Sequence, residues 1–181
     1  MNKYLTWGGA LDREPLAPNT VRFYLLVAAL VAGNLIFPAL VHSLPQGGAI
    51  FLPIYFFTLI AAYRFGIAAG LTTALLSPLV NTLLTGMPPV PVLDVIVVKS
   101  VAMAIVAAAL AHATRQVSLL GLAAVIVGYQ AVGGAYEALK AGSFQAALGD
   151  WVLGWPGLML QLVGGALVLG LWKNRSGSRP Q

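Results

Sequence analysis

Few side chains in this sequence can do chemistry. Its 181 residues hold five Asp and Glu, ten Lys and Arg, two His and no Cys. Without cysteine there is no disulfide, no thiolate nucleophile and no cysteine-held metal. The sequence has no GxxxxGK[ST] loop, no HExxH pair and no GxSxG turn. Phosphate-cradling, zinc-protease and serine-hydrolase chemistry therefore lack a motif. What stands out is a set of polar residues inside long apolar runs. Asn81, Asp94 and Lys99 flank the stretch Thr85-Gly86-Met87-Pro88-Pro89. Polar groups there are costly in a bilayer and are functional candidates for that reason.

Further polar and aromatic residues fall at corresponding ends of the other apolar runs. His42 closes the first run. Tyr136, Glu137 and Lys140 close the fifth, Gln145 lies in the loop after it, and Trp151 and Trp155 open the sixth. An apolar lining with a few convergent polar groups is what a small-molecule pocket needs. The expected substrate-binding set is His42, Asn81, Thr85, Met87, Asp94, Lys99, Tyr136, Glu137, Gln145, Trp151 and Trp155. Plainer roles stand beside these. The tryptophans suit interface anchors, Glu137 and Lys140 suit an i,i+3 ion pair, Asn81 suits a bond to a neighbouring helix, and His42 suits an interfacial residue. Lys99 has three options: snorkelling to the surface, pairing with Asp94 or Glu137, or holding an anionic ligand. If it lines the pocket, methionine at 99 should spare the fold and weaken ligand binding.

The elements that must position these residues follow from composition. The chain is 59% hydrophobic and 8% charged, where soluble domains carry about 25% charged residues. A mean hydropathy of +0.87 with long apolar runs indicates an integral membrane protein. The expected class is an all-α, compact bundle of six transmembrane helices, over about 20–43, 49–63, 67–84, 93–113, 118–140 and 151–172. Residues 1–19 form an N-terminal segment without a cleavable-signal pattern, 20–172 the transmembrane domain, and 173–181 a basic tail. Ser118 is the expected cap of the fifth helix. Asp94 is expected in the first turn of the fourth, at the positive end of its dipole. The net charge of +5 sits in loops and tails, a pattern of membrane topology rather than of nucleic-acid binding. Lys3, Arg13, Arg22, Arg64, Arg115, Lys173, Arg175 and Arg179 fall on the side that holds both termini. The positive-inside rule makes that side cytoplasmic.

Several stretches together resemble one family. Phe51-Leu52-Pro53-Ile54, Arg64-Phe65-Gly66 with Gly70, Ser77-Pro78-Leu79 and Thr85-Gly86-Met87-Pro88-Pro89 look like the helix 2 to helix 4 core of the S-components of energy-coupling factor (ECF) transporters. Ala28 and Ala32 resemble the alanine pair by which that family's first helix docks on its coupling protein. The resemblance implies a binder of a vitamin or micronutrient at the outer face of a bacterial or archaeal cytoplasmic membrane. It implies partners too: a membrane coupling subunit and two cytoplasmic ATPases, with delivery by toppling in the bilayer. It implies no catalysis and no cofactor. Lys99 departs from it, standing about where an acidic residue is expected. The rival readings are a membrane enzyme acting on a lipid, with Asp94, Glu137 and His42 as acid–base groups, and an assembly subunit without a ligand.

The topology is open to a direct check. Single cysteines at Gly47, Gly86 and Ser143 should react with a membrane-impermeant thiol reagent on intact cells, and one at Ser176 only after lysis. The reverse pattern would overturn the orientation and the site built on it.

Overall fold

Apolar helices end where proline or glycine denies them a hydrogen bond or a right-handed backbone, and this chain is cut accordingly. The computed structural model describes residues 13–41 and 43–171. His42, the expected end of the last helix at Trp172, and the tail at 173–181 lie outside the described residues. Within them the fold is all-α. Helix α1 (Val21–Val41), a short α2 (Gly47–Phe51), α3 (Phe56–Phe65), α4 (Ile67–Thr85), α5 (Val90–Thr114) and α6 (Leu119–Ala141) are followed by two helical turns, α7 (Phe144–Ala147) and α8 (Gly149–Val152). The described residues close with α9 (Trp155–Met159), a π-helical turn at Leu160–Gly164 and α10 (Gly165–Leu171).

Among the described residues, four helices are long and apolar enough to cross a membrane: α1, α4, α5 and α6. Their outer surfaces carry bare aliphatics, with Leu25 67%, Leu83 82%, Leu120 71% and Leu139 83% exposed. Apolar cover on that scale suits lipid, not water. The chain is a multi-pass membrane protein. The second and sixth expected helices are interrupted. Leu52 adopts a left-handed backbone (φ 45°), and Pro53 then opens a 3₁₀ turn over Pro53–Tyr55. A residue before proline is pushed out of the helical region, so the expected 49–63 helix becomes α2, a turn and α3. Ten residues of α3 span about 15 Å, half of a hydrocarbon core of about 30 Å. The sixth element breaks at Leu153 and Gly154, restarts with Pro156 in its first turn, and shifts to π geometry at Leu160.

Smaller corrections concern the site. The α5 helix begins at Val90 with proline in its first turn, three residues before the expected start. Asp94 therefore lies one turn in rather than in the first turn, and no acidic residue stands there. Ser118 caps α6 as expected, its hydroxyl accepting the Gly121 N–H at 3.0 Å.

Alanine and glycine bring the helices together. Helix α5 packs against α3, α4 and α6, and α1 against α3 and α4. Ala61, Ala62, Ala69, Ala74, Ala104, Ala107 and Ala111 are fully buried in these seams. A Cβ at Gly70 would lie 2.6 Å from Ala62 Cβ and 2.8 Å from its Cα. Small residues at such a crossing let two backbones approach. At the basic end, Glu14 pairs with Arg22 and with the buried Arg64 (3.5 Å). The Glu14 N–H donates to the Arg64 carbonyl at 3.1 Å, which ties the N-terminal segment to the α3–α4 turn.

One buried polar hub joins α1 to this core. Asn34 Nδ2 donates to Thr58 Oγ1 (3.2 Å) and Ser77 Oγ (2.9 Å), and Asn34 Oδ1 accepts the Phe57 N–H (3.2 Å). All three side chains are fully buried. The Phe57 N–H is one of the donors left open at the start of α3. Replacing Asn34 with leucine should lower stability by about 1–3 kcal/mol, the cost of orphaning buried polar groups. A thermal melt in detergent reads it; an unchanged midpoint would mean that this hub holds nothing together.

Candidate functional site

The α4–α5 loop is held close to its own helices. The Thr82 hydroxyl donates to the Pro88 carbonyl (2.8 Å), and the Met87 N–H donates to Thr85 Oγ1 (3.2 Å). Thr85 Oγ1 also lies 2.8 Å from the Asn81 carbonyl and 3.1 Å from Asn81 Oδ1. Opposite it, the chain after α1 turns through Ser43–Gln46 into α2. Between these two loops lies a cavity of about 900 Å³. Small-molecule sites run from about 300 to 1,000 Å³. Pro38, Leu44, Pro45, Leu52, Pro53, Ile54, Met87, Pro88, Val92, Val95 and Ile96 give it apolar walls. Gln46, Tyr55, Asn81, Lys99, Glu137 and Asp150 give it polar points.

Its charged floor joins three elements. Lys99 on α5 is 2% exposed, and its Nζ donates to Glu137 Oε2 on α6 (2.6 Å) and to Asp150 Oδ2 on α8 (2.8 Å). The lysine stem lies against the α6 backbone. A Cβ at Gly133 would fall 2.1 Å from Lys99 Cγ, so only glycine leaves it room. Beneath the floor a chain of hydrogen bonds continues. Gln130 Nε2 donates to Asp150 Oδ2 (3.0 Å) and to the Tyr129 hydroxyl (3.2 Å), which donates to Gln161 Oε1 (3.0 Å). Gln161 belongs to the π-helical turn.

Of the expected set, Asn81, Met87, Lys99 and Glu137 line the cavity. Thr85 stands behind Asn81 and fixes its carboxamide. Asp94 is not on the cavity; it accepts the Tyr136 hydroxyl (2.9 Å) and pairs with Lys140 (2.6 Å), which also donates to the Pro91 carbonyl (2.6 Å). The expected Glu137–Lys140 pair is replaced by two cross-helix pairs, Glu137 with Lys99 and Lys140 with Asp94. Lys99 does not snorkel, being 2% exposed. Gln145, Trp151 and Trp155 are exposed and away from the cavity walls. His42 lies outside the described residues. Asp150 and Tyr55 were missed. Asp150 follows a glycine in a polar loop and reads as solvated. Tyr55 sits in an aromatic run that reads as core.

This geometry changes what a Lys99 substitution does. Lys99→Met removes the one cation between Glu137 and Asp150, so it strands two carboxylates instead of relieving desolvation. Removing one partner of a buried pair costs about 3–5 kcal/mol. The carboxylates are 23% and 20% exposed, which puts the loss near the lower figure. Ligand-free Lys99→Met should melt well below the parent, and adding Glu137→Gln should recover part of the loss. Equal melts for parent and Lys99→Met would make the network irrelevant to the fold. Comparison with known proteins finds no matching family model, no matching curated protein and no matching solved structure.

Proposed function

We propose that this chain is the solute-binding membrane subunit of an importer of the ECF type. In this reading it captures a vitamin or similar micronutrient at the outer face of a bacterial or archaeal cytoplasmic membrane. The observation that carries the reading is the cavity of about 900 Å³ at one end of the bundle, apolar in its walls and polar at a few points. It lies at the end where α1 and α4 finish and α5 begins, opposite the Glu14–Arg22–Arg64 cluster. The positive-inside rule makes the cavity end external. The segments Phe56–Phe65 and Trp155–Leu171 then complete a six-segment layout beside the four long helices, with both termini inside.

The partner side of the proposal rests on α1. Ala28 is exposed and Ala32 half-buried, so this small-residue pair is open to another helix. A membrane coupling subunit docks there and two cytoplasmic ATPases drive delivery, the bound solute being carried across as the chain topples. The protein itself performs no catalysis.

The test uses Ala28→Trp in the intact assembly. Tagged parent protein should co-purify with a coupling subunit and two ATPases and support ATP-dependent solute uptake in vesicles. Ala28→Trp should lose the partners and the uptake while solute binding to the isolated chain stays normal. Loss of binding with assembly untouched would make the alanines internal packing. A chain that purifies without ATPases would remove the importer reading.

A further inference from the structure

Among the described residues, the cavity floor does not balance its charge. Glu137 and Asp150 bring two negative charges to it and Lys99 brings one positive charge. The other two nearby charges, Asp94 and Lys140, cancel each other. The imbalance faces the cavity. Lys99 is 2% exposed, whereas Glu137 is 23% and Asp150 20% exposed. Lys99 spends its Nζ on Glu137 Oε2 and Asp150 Oδ2. Among the described residues, Glu137 Oε1 and Asp150 Oδ1 accept no hydrogen bond.

Two further lining residues are open to a ligand, and neither is hydrogen-bonded to these carboxylates among the described residues. Tyr55 is 3% exposed and lines the cavity, and its hydroxyl has no hydrogen-bond partner among the described residues. Its ring packs beside Tyr129, centroids 5.4 Å apart. Asn81 is also 3% exposed and lines the cavity. Its Oδ1 is engaged by Thr85, and its Nδ2 has no partner among the described residues. Both polar atoms open onto the cavity instead of being sealed in protein, so a phenol and a carboxamide are available there to a solute.

We infer that the solute taken by this cavity is an organic cation, with its positive group against the outer oxygens of Glu137 and Asp150 and its uncharged body against the apolar walls and Tyr55. The inference deepens the importer reading and rests on it. An anionic solute is disfavoured: Lys99 is buried beneath two carboxylates, and an anion would add a third negative charge beside them. One solute cation brings the described floor to neutrality. Asn81 Nδ2 supplies a donor for an acceptor elsewhere on the solute.

The experiment separates the solute class from the function. Purified protein in detergent is incubated with three fractions of a complex growth medium, cationic, neutral and anionic, obtained by ion exchange. After washing, native mass spectrometry reads what is retained. A mass from the cationic fraction is expected. Glu137→Gln and Asp150→Asn each leave Lys99 one carboxylate and make the floor neutral. Each should weaken retention by roughly 10- to 150-fold, the value of one charge-assisted hydrogen bond. Retention from the neutral or anionic fraction instead would overturn the cation and leave the importer standing. Retention unchanged in both variants would mean that neither carboxylate holds the solute, which also ends the inference. No retained mass from any fraction would count against solute binding itself and bring down both readings.

Discussion

A lysine buried inside a membrane bundle has to be paired, and the pairing of Lys99 sets the geometry around it. An unpaired ammonium in a low-dielectric interior costs several kcal/mol. Lys99 offsets that cost by reaching one carboxylate on α6 and one on α8. These lie on elements separated in sequence by the α6–α8 connection, so the ion network closes that connection over the bundle. Gly133 has to be glycine for the lysine stem to pass. Asp150 has to be held from below, and Gln130 holds it. The cavity floor is thus made of groups that constrain one another rather than of residues contributed one at a time.

Around this floor the helices are interrupted where they border the cavity. The Leu52–Tyr55 turn and the break at Leu153–Gly154 meet where α2 packs on α9: a Cβ at Gly154 would lie 2.8 Å from Leu52 Cδ1. Irregular backbone at membrane depth is tolerated where protein or a water-filled cavity covers it. Here the turn lies on the cavity itself, since Leu52, Pro53, Ile54 and Tyr55 are among its walls. A continuous helix over this stretch would spend its carbonyls and amides internally and place side chains at helical spacing. The broken one brings four successive residues to a single cavity wall.

How much of this was legible in the sequence depends on the physics of each residue. The all-α class and the apolar spans followed from hydropathy, and the Ser118 cap from its position. The convergence of Asn81, Met87, Lys99 and Glu137 followed from alternating the direction of successive helices. Pairing with Glu137 was one of the options open to Lys99, and it forms; what stayed hidden was the second carboxylate, Asp150, and the pair Lys140 makes with Asp94. A sequence gives the spacing of Glu137 and Lys140 along one helix, but the rotation of α5 against α6 decides that each finds its partner across the seam. Asp150 was hidden because its neighbours Gly149 and Trp151 give no sign that the loop folds inward. Asn34 was hidden because one carboxamide in an apolar helix looks alike whether it serves a hub or a ligand. Trp151 and Trp155 are exposed and off the cavity walls.

The floor is also coupled to the last helix. Gln161 sits in the turn that departs from α-helical geometry, and it accepts from Tyr129, which accepts from Gln130, which donates to Asp150. A π turn inserts extra backbone into a helix and alters the direction in which its side chains point; such turns are frequent at functional sites. Gln130 Oε1 and Gln161 Nε2 are buried without partners among the described residues. The path reaches from the cavity, which Asp150 lines, to the π turn that holds Gln161, so the charged floor and the final helix are joined by one run of hydrogen bonds.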